Sequence, residues 1–177
     1  MLLIEPDVFP DERGYFIELF NEKKFEGLGL PVSYCQDNLS VNKKHVVRGL
    51  HFQDAPFEQG KLVRVIKGAV FDVAVDLRKD SPTFGKHIAV PLNESNNNLL
   101  WIPPGFAHGF SVLEDQTVFH YKCTAYYNKA AETGIRFDDK ELAIDWKISN
   151  PVVSDKDREL ISFAEYRKKA GISTSIA

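Results

Sequence analysis

Only two cysteines, one methionine and two tryptophans occur among the 177 residues, and no long hydrophobic run is present. Cys35 and Cys123 are isolated and sit in no paired-thiol motif, so a disulfide framework is not expected and a reducing cytoplasm is the expected compartment. No stretch approaches the roughly 18 consecutive apolar residues of a membrane helix. The opening MLLIEPDVFPDERG, with Glu5 and Pro6 early, does not read as an export signal. Neither sign of charge dominates. A net charge of −3 gives no general attraction to nucleic acid or an anionic membrane, so neither is an expected partner. A glycine-rich phosphate loop, an internal repeat and an interdomain linker are also missing. A bound phosphate would have to be held by scattered cations, of which Arg13, Arg48, Lys61 and Lys156 are the candidates.

What is present is a hydrophobic content of 44%, enough for one sizeable core, and a single domain over residues 1–177 is expected. Short apolar runs bounded by turn residues recur: Lys61-Leu-Val-Arg-Val-Ile, Gly68-Ala-Val-Phe-Asp-Val-Ala-Val-Asp, Lys86-His-Ile-Ala-Val-Pro and Leu99-Leu-Trp-Ile-Pro-Pro. In the second, Phe71, Val73 and Val75 alternate with Asp72 and Asp76, which predicts a strand with an apolar face and a face toward a polar space. Only Asn21 to Gly27 and Asp155 to Ala170 read as helical, the latter opened by Ser154 and Asp155 as caps. The polar run Asn93-Glu-Ser-Asn-Asn-Asn reads as a hairpin turn. Such a chain is all-β, a sandwich or barrel with short peripheral helices; the jelly-roll variant includes the cupins.

The densest chemistry is Arg48-Gly-Leu-His-Phe-Gln, with Lys61 ten positions after the histidine. Strand alternation, apart from any bulge, puts His51 and Gln53 on one cavity wall and Arg48 on the other face. Histidine is a natural general base near neutrality, with an unperturbed pKa of about 6.5; a lone histidine is more often a satisfied core group, and it is the neighbouring Arg48, Gln53 and Lys61 that shift the balance toward chemistry. Trp101-Ile-Pro-Pro-Gly-Phe-Ala-His-Gly-Phe sets His108 in a rigid turn open to close ligand approach, or in a loop that merely packs Phe106 and Phe110. Tyr121, in Tyr121-Lys-Cys-Thr-Ala-Tyr-Tyr, is a phenol able to protonate a basic enolate carbon, or a strand packing residue. Metal-binding cupins usually present two histidines one residue apart, with a glutamate a few positions later. Here Gln53 stands at the second place, and His45, His87 and His120 lie in separate segments, so no metal is expected.

Ordered blocks along almost the whole chain resemble one family. They are Asp11-Glu-Arg-Gly-Tyr-Phe-Ile-Glu, Gln36-Asp-Asn-Leu-Ser, Val47-Arg-Gly-Leu-His-Phe-Gln, Gln59-Gly-Lys-Leu-Val-Arg-Val, Val70-Phe-Asp-Val-Ala-Val-Asp-Leu-Arg, Ser81-Pro-Thr-Phe-Gly, Ile102-Pro-Pro-Gly-Phe-Ala-His-Gly-Phe, Tyr121-Lys-Cys-Thr and Glu132-Thr-Gly-Ile. The chain resembles the dTDP-4-dehydrorhamnose 3,5-epimerases, metal-free cupins. The resemblance implies inversion at C3 and C5 of a nucleotide-linked 4-keto-6-deoxy sugar, with no cofactor. It implies that His51 is the base, Asp157 its dyad partner, Tyr121 the acid and Lys61 the partner of the enolate oxygen. Arg48 and His108 would hold the sugar and phosphate region. Arg13, Glu18, Gln36, Asp37, Asn38, Glu132 and Lys156 would contact substrate, Arg13 and Glu18 across a homodimer interface. Phe16 and Tyr127 would pack near the ligand. Departures are His120 before the proposed acid and the carboxylate of Glu58 in the loop near Lys61; Asp155, Asp72 and Asp76 are alternative dyad acids. Inversion at C3 or C5 alone, a GDP-linked substrate, a non-catalytic sugar-nucleotide-binding cupin and a metal-dependent cupin are the competing readings.

Overall fold

The computed structural model describes residues 1–172; residues 173–177, the end of the span expected to form one domain, lie outside the described residues. In chain order the elements are β1 (Leu2–Ile4), β2 (Val8–Asp11), β3 (Gly14–Ile17), α1 (Glu22–Gly27), β4 (Gln36–Asn42), β5 (Val47–Gln53), β6 (Lys61–Lys67), β7 (Ala69–Asp76), β8 (His87–Asn93), β9 (Leu99–Ile102), β10 (Phe106–Val112), β11 (Thr117–Cys123), β12 (Glu132–Gly134), α2 (Asp155–Arg158) and α3 (Phe163–Lys169). Two five-stranded sheets result, ordered β1-β9-β6-β11-β4 and β12-β5-β10-β7-β8, while β2 and β3 form a separate hairpin. The chain passes from one sheet to the other at nearly every connection from β5 onward, which gives the cupin-type jelly roll expected from the sequence.

The side chains between the sheets form one apolar layer, including Val63, Val65, Val70, Leu92, Leu100, Phe110 and Phe119. Phe110 and Phe119 stack at 4.1 Å between ring centroids, one from each sheet. Outside the second sheet, Val47, Leu50, Val73, Val75 and Ala107 are covered by the C-terminal segment through Leu142, Trp146, Val153 and Phe163. Outside the first, Leu62, Leu99 and Trp101 are covered by Phe25 of α1 and Leu30.

The reading of β7 is corrected on its carboxylate side. Asp72 and Asp76 share the inter-sheet face with Val70 and Ala74 but do not open onto a polar space; they are 0% and 1% exposed, and each carboxylate is held by its own partners. Asp76 accepts from Arg78, Ser81 and Thr83, contacts strong enough to outweigh burial and hold its carboxyl well below the usual range. The run from Asn93 is not a hairpin turn either, because β8 pairs with β7 and β9 with β1 and β6. It carries the chain between sheets, and the Asn93 side chain accepts from the N–H groups of Ser95 and Asn96. The expected helix from Asp155 to Ala170 is broken into α2 and α3. Ser162 caps α3 in a reciprocal box with Glu165, and Ile161 bridges to Ile135, so the intervening residues are drawn off to the sheet edge. α1 forms as expected, with Asn21 as its N-cap.

Candidate active site

Between the sheets, beside the apolar layer, lies a cavity lined by Asn38, Ser40, Arg48, His51, Lys61, His108, Phe110 and Tyr121. Lys61, Tyr121, Asn38 and Ser40 come from β6, β11 and β4 of the first sheet. Arg48, His51 and His108 come from β5 and β10 of the second. The histidines and the tyrosine therefore occupy facing walls.

Strand alternation alone would put Arg48 and His51 on opposite faces. They share a wall because β5 bulges against β10: His108 pairs with His51 and Phe110 with Arg48, leaving Gly49 and Leu50 opposite Gly109 alone. Gly49 has φ +122°, and a Cβ there would lie 2.5 Å from the Gly109 Cα, so both the conformation and the approach require glycine. Leu50 is thereby turned into the outer core, fully buried, and His51 into the cavity.

His51 Nε2 lies 2.8 Å from Asp157 Oδ1, and Asp157 Oδ2 accepts the Gly49 N–H at 3.2 Å. Burial pushes the Asp157 carboxyl upward, but the hydrogen bonds and charge of His51 and the Gly49 N–H outweigh it and leave it below its ordinary value. Asp157 sits in the first turn of α2, capped by Ser154, and it is Asp157 rather than Asp155 of the same helix that pairs with His51. The Arg48 Nε donates at 2.8 Å to Asn42 Oδ1, and the Asn42 amide is itself anchored on Ser40 and on the Thr117 carbonyl. Asn42 escaped the sequence reading, although its position on the same face of β4 as Asn38 and Ser40 was available from alternation.

His108 is nearly buried, with Nε2 2.9 and 3.1 Å from the two oxygens of Asp72. Burial depresses the Lys61 ammonium below the usual lysine range, against the opposing influence of Cys123, Asp72 and Glu132. Glu58 is not among those influences, so the loop carboxylate flagged in the sequence does not set the state of Lys61. Burial also raises the Tyr121 phenol above its normal value, and raises Cys123 to about 11.

Glu132 accepts from Lys156 Nζ at 2.6 Å and from the Tyr127 hydroxyl at 2.7 Å, which brings those three residues together on β12, α2 and the loop before β12. Gln36 joins them by accepting the Tyr127 N–H and donating to Asn38. Asp37 does not. Its position between Gln36 and Asn38 turns it to the other face of β4, where it pairs with Lys122 at 2.7 Å and with His120 at 2.5 Å. His120 thus also points away from the cavity. Gln53, expected beside His51, is buried and instead holds loops, donating to the Phe57 and Tyr126 carbonyls and accepting from the Asn128 N–H. Arg13, paired with Asp11, and Phe16 are exposed on the β2–β3 hairpin, and Glu18 bonds Lys24 and Asn21; within one chain none lines the cavity. Among the described residues no three His, Cys, Asp or Glu side chains converge as ligands for a metal.

Residues 1–165 match the family described as dTDP-4-dehydrorhamnose 3,5-epimerase. A dTDP-4-dehydrorhamnose 3,5-epimerase of Shigella flexneri is 54% identical over 158 residues, covering 89% of this chain and 87% of its own. One from Escherichia coli (strain K12) is 51% identical over 93% of this chain and 90% of its own. Among solved structures, the dTDP-6-deoxy-D-glucose-3,5-epimerase of Legionella pneumophila Philadelphia 1, in complex with dTDP-4-keto-L-rhamnose, superposes with a TM-score of 0.86 at 48% identity, over 90% of this chain and 86% of that one.

Proposed function

Because the chain belongs to the dTDP-4-dehydrorhamnose 3,5-epimerase family, we propose that it converts dTDP-4-dehydro-6-deoxy-D-glucose to dTDP-4-dehydro-L-rhamnose by inverting C3 and C5. His51 removes a proton α to the C4 ketone, with Asp157 orienting the ring and stabilising the imidazolium. The C–H electron pair moves into the carbonyl, and the enolate oxygen meets the Lys61 ammonium, where a fixed cation acts on charge that exists only after proton removal. Tyr121 then delivers its phenolic proton to the carbon from the other side. The proton on His51 and the site vacated on Tyr121 are reset with solvent, and the cycle repeats at the second carbon.

The observation that carries this reading is the placement of His51 and Tyr121 on walls contributed by different sheets, with Lys61 beside Tyr121 on the first of them. Inversion needs donor and acceptor on opposite faces of one carbon, and a binding cupin has no need of either. Arg48 and His108 serve the sugar and phosphate region; Gln36, Asn38, Glu132, Lys156 and Tyr127 border the nucleotide. The exposed hairpin carrying Phe9, Arg13, Tyr15 and Phe16 supports a homodimer in which Arg13 and Glu18 complete the partner chain's cavity. Asp37 would contact substrate only through its main chain. No helix of the described residues is long and apolar enough to cross a membrane; a cytoplasmic location, one domain over 1–177, and action without cofactor, metal or nucleic acid belong to the same proposal.

Proton NMR of dTDP-4-keto-6-deoxyglucose with the enzyme in deuterated water tests it. Loss of both the C3 and C5 proton signals is expected. Loss of one would make the protein a single-site epimerase; loss of neither, with exchange in a GDP-linked 4-keto sugar, would reassign the nucleotide, and no exchange in either would leave a binding protein.

A further inference from the structure

Arg48 is anchored across the sandwich. It stands on β5 of the second sheet, yet its Nε donates at 2.8 Å to Asn42 Oδ1 on β4 of the first, so one hydrogen bond ties the two sheets at the cavity wall. Asn42 is 2% exposed and lies opposite Thr117 in register. Its Nδ2 donates at 3.0 Å to Ser40 Oγ and at 3.2 Å to the carbonyl oxygens of Ser40 and Thr117. The amide cannot turn over without setting its own oxygen against two carbonyl oxygens, so Oδ1 is held facing Arg48. Arg48 itself lines the cavity, and among the described residues neither of its Nη groups has a hydrogen-bond acceptor or a carboxylate partner.

A guanidinium is planar, and its five N–H groups form one rigid fork. Holding Nε at one edge therefore fixes the plane and leaves the Nη hydrogens for a ligand. Two parallel N–H bonds match the paired oxygens of a phosphate better than they match a single hydroxyl. The charge of the anchor matters as much as its place. Arg13, Arg78 and Arg136 each lean on an aspartate two positions away, Asp11, Asp76 and Asp138, which offsets their charge. Arg48 leans on a neutral amide, so its positive charge stays available to an anion.

We propose that Asn42 is a positioning residue for substrate binding: it fixes the plane of Arg48 without neutralising it, so that the two Nη groups hold paired oxygens of one phosphate of the nucleotide diphosphate. The inference rests on the functional reading above and narrows it, since it assigns Arg48 to the diphosphate rather than to the sugar. A phosphate gains no charge when a proton leaves the sugar ring. The contact is therefore made equally in the ground and transition states, and it acts on KM.

The full chain is used throughout the test. The first measurement needs no ligand: in protein labelled with 15N-arginine, with Arg48 assigned by Arg48→Lys, NMR follows exchange of the Arg48 Nε–H with water. Exchange at least about tenfold slower than in free arginine is expected, the worth of one hydrogen bond from a charged group, and Asn42→Ala is expected to abolish the difference. Equal exchange in wild type and Asn42→Ala overturns the positioning role. The second is a double-variant cycle on dTDP affinity by calorimetry. Asn42→Ala is expected to weaken binding by about three- to tenfold, and to do almost nothing further in an Arg48→Ala background. The same loss in both backgrounds shows a merely structural asparagine. In deuterium uptake the Asn42→Ala loss should fall on KM, and a loss in kcat as large as that in KM overturns the assignment to the phosphate. Asn42→Asp keeps an acceptor for Nε and adds a charge, so slow Nε–H exchange should persist while dTDP binds more weakly; wild-type affinity there overturns the role of the neutral amide. Should Asn42→Ala not fold, wild-type exchange and Asn42→Asp decide the matter. Inorganic pyrophosphate run through the same cycle separates this proposal from the functional reading. Wild-type enzyme that binds pyrophosphate but not dTDP removes the nucleotide and leaves Asn42 its role; binding of neither overturns both.

Discussion

Asp157 meets His51 across 106 positions of sequence, one carboxylate oxygen 2.8 Å from the imidazole and the other accepting the Gly49 N–H at 3.2 Å. One carboxylate thus holds both the proposed base and the bulged backbone that aims it. Orientation and charge are coupled in that contact, so removing the charge alone separates them.

For Asp157→Asn the fold is expected to persist and deuterium uptake from solvent to fall by about 10²- to 10⁴-fold, mainly in kcat. His51→Asn should lose at least as much, and the double variant little more than the worse single one, because the pair acts as a unit. Additive losses in single-turnover exchange would separate Asp157 from the base. The same contact predicts an acid limit to stability. The Asp157 pKa is lower folded than unfolded, so its contribution is present above the unfolded carboxylate value and is lost as pH falls toward the folded one. Asp157→Asn should therefore flatten the loss of denaturant midpoint below about pH 4.

Tyr121→Phe removes the proton donor and leaves the base. Proton abstraction is expected to survive in part while inversion is impaired, so that deuterium washes into C3 or C5 with retained configuration faster than product accumulates. Burial raises the Tyr121 phenol, which keeps it protonated and able to donate through the ordinary working range. Wild-type rates of inversion at both carbons in Tyr121→Phe would remove it from the mechanism.

Much of this site could be read from one chain because its motifs lie on strands, where alternation fixes which residues share a wall. Asn38 and Ser40 follow that rule by lining the cavity, and Asp37 follows it by turning its side chain to the other face. What could not be read is where alternation breaks or where partners meet through register. The bulge at Gly49 and Leu50 exists only against Gly109 of another strand, so alternation alone puts Arg48 and His51 on different faces. His108 and Asp72 lie 36 positions apart, and nothing local joins them. The break between α2 and α3 was visible in Ser162 and Glu165, a capping box inside an apolar-periodic segment.

Lys61 gives a basic limit to activity. Desolvation makes its charged form harder to keep, so its pKa lies below that of an exposed lysine. The ammonium is present below that pKa and lost above it, and the enolate is stabilised only while it is present. kcat for exchange is expected to decline on the alkaline side at a pH lower than the ordinary lysine value of about 10.4. In Lys61→Met exchange should fall by about 10²- to 10³-fold, the usual loss when one donor to a developing oxyanion is removed. A Lys61→Met enzyme that retains the wild-type alkaline limb, at whatever rate, assigns that limb to another group.

Gly49→Ala is the variant that asks whether the bulge is required. The new Cβ would sit 2.5 Å from the Gly109 Cα and 2.8 Å from the His108 carbonyl oxygen, both main-chain atoms that cannot swing aside, and φ is +122°. Overpacking and backbone strain together predict a loss of about 2–5 kcal/mol in a denaturant titration. Where the strands part to accept the methyl, His51 and His108 move with them, since they are register partners across this bulge. Activity of the folded fraction should therefore fall as well, by more than tenfold if the proposed base shifts by about 1 Å. Gly27→Ala, where an added Cβ meets nothing within 4 Å, is the control for a glycine that holds no strand in place. Equal stability of the two variants would mean that β5 and β10 tolerate separation, and that the shared wall of Arg48 and His51 is not set by this approach.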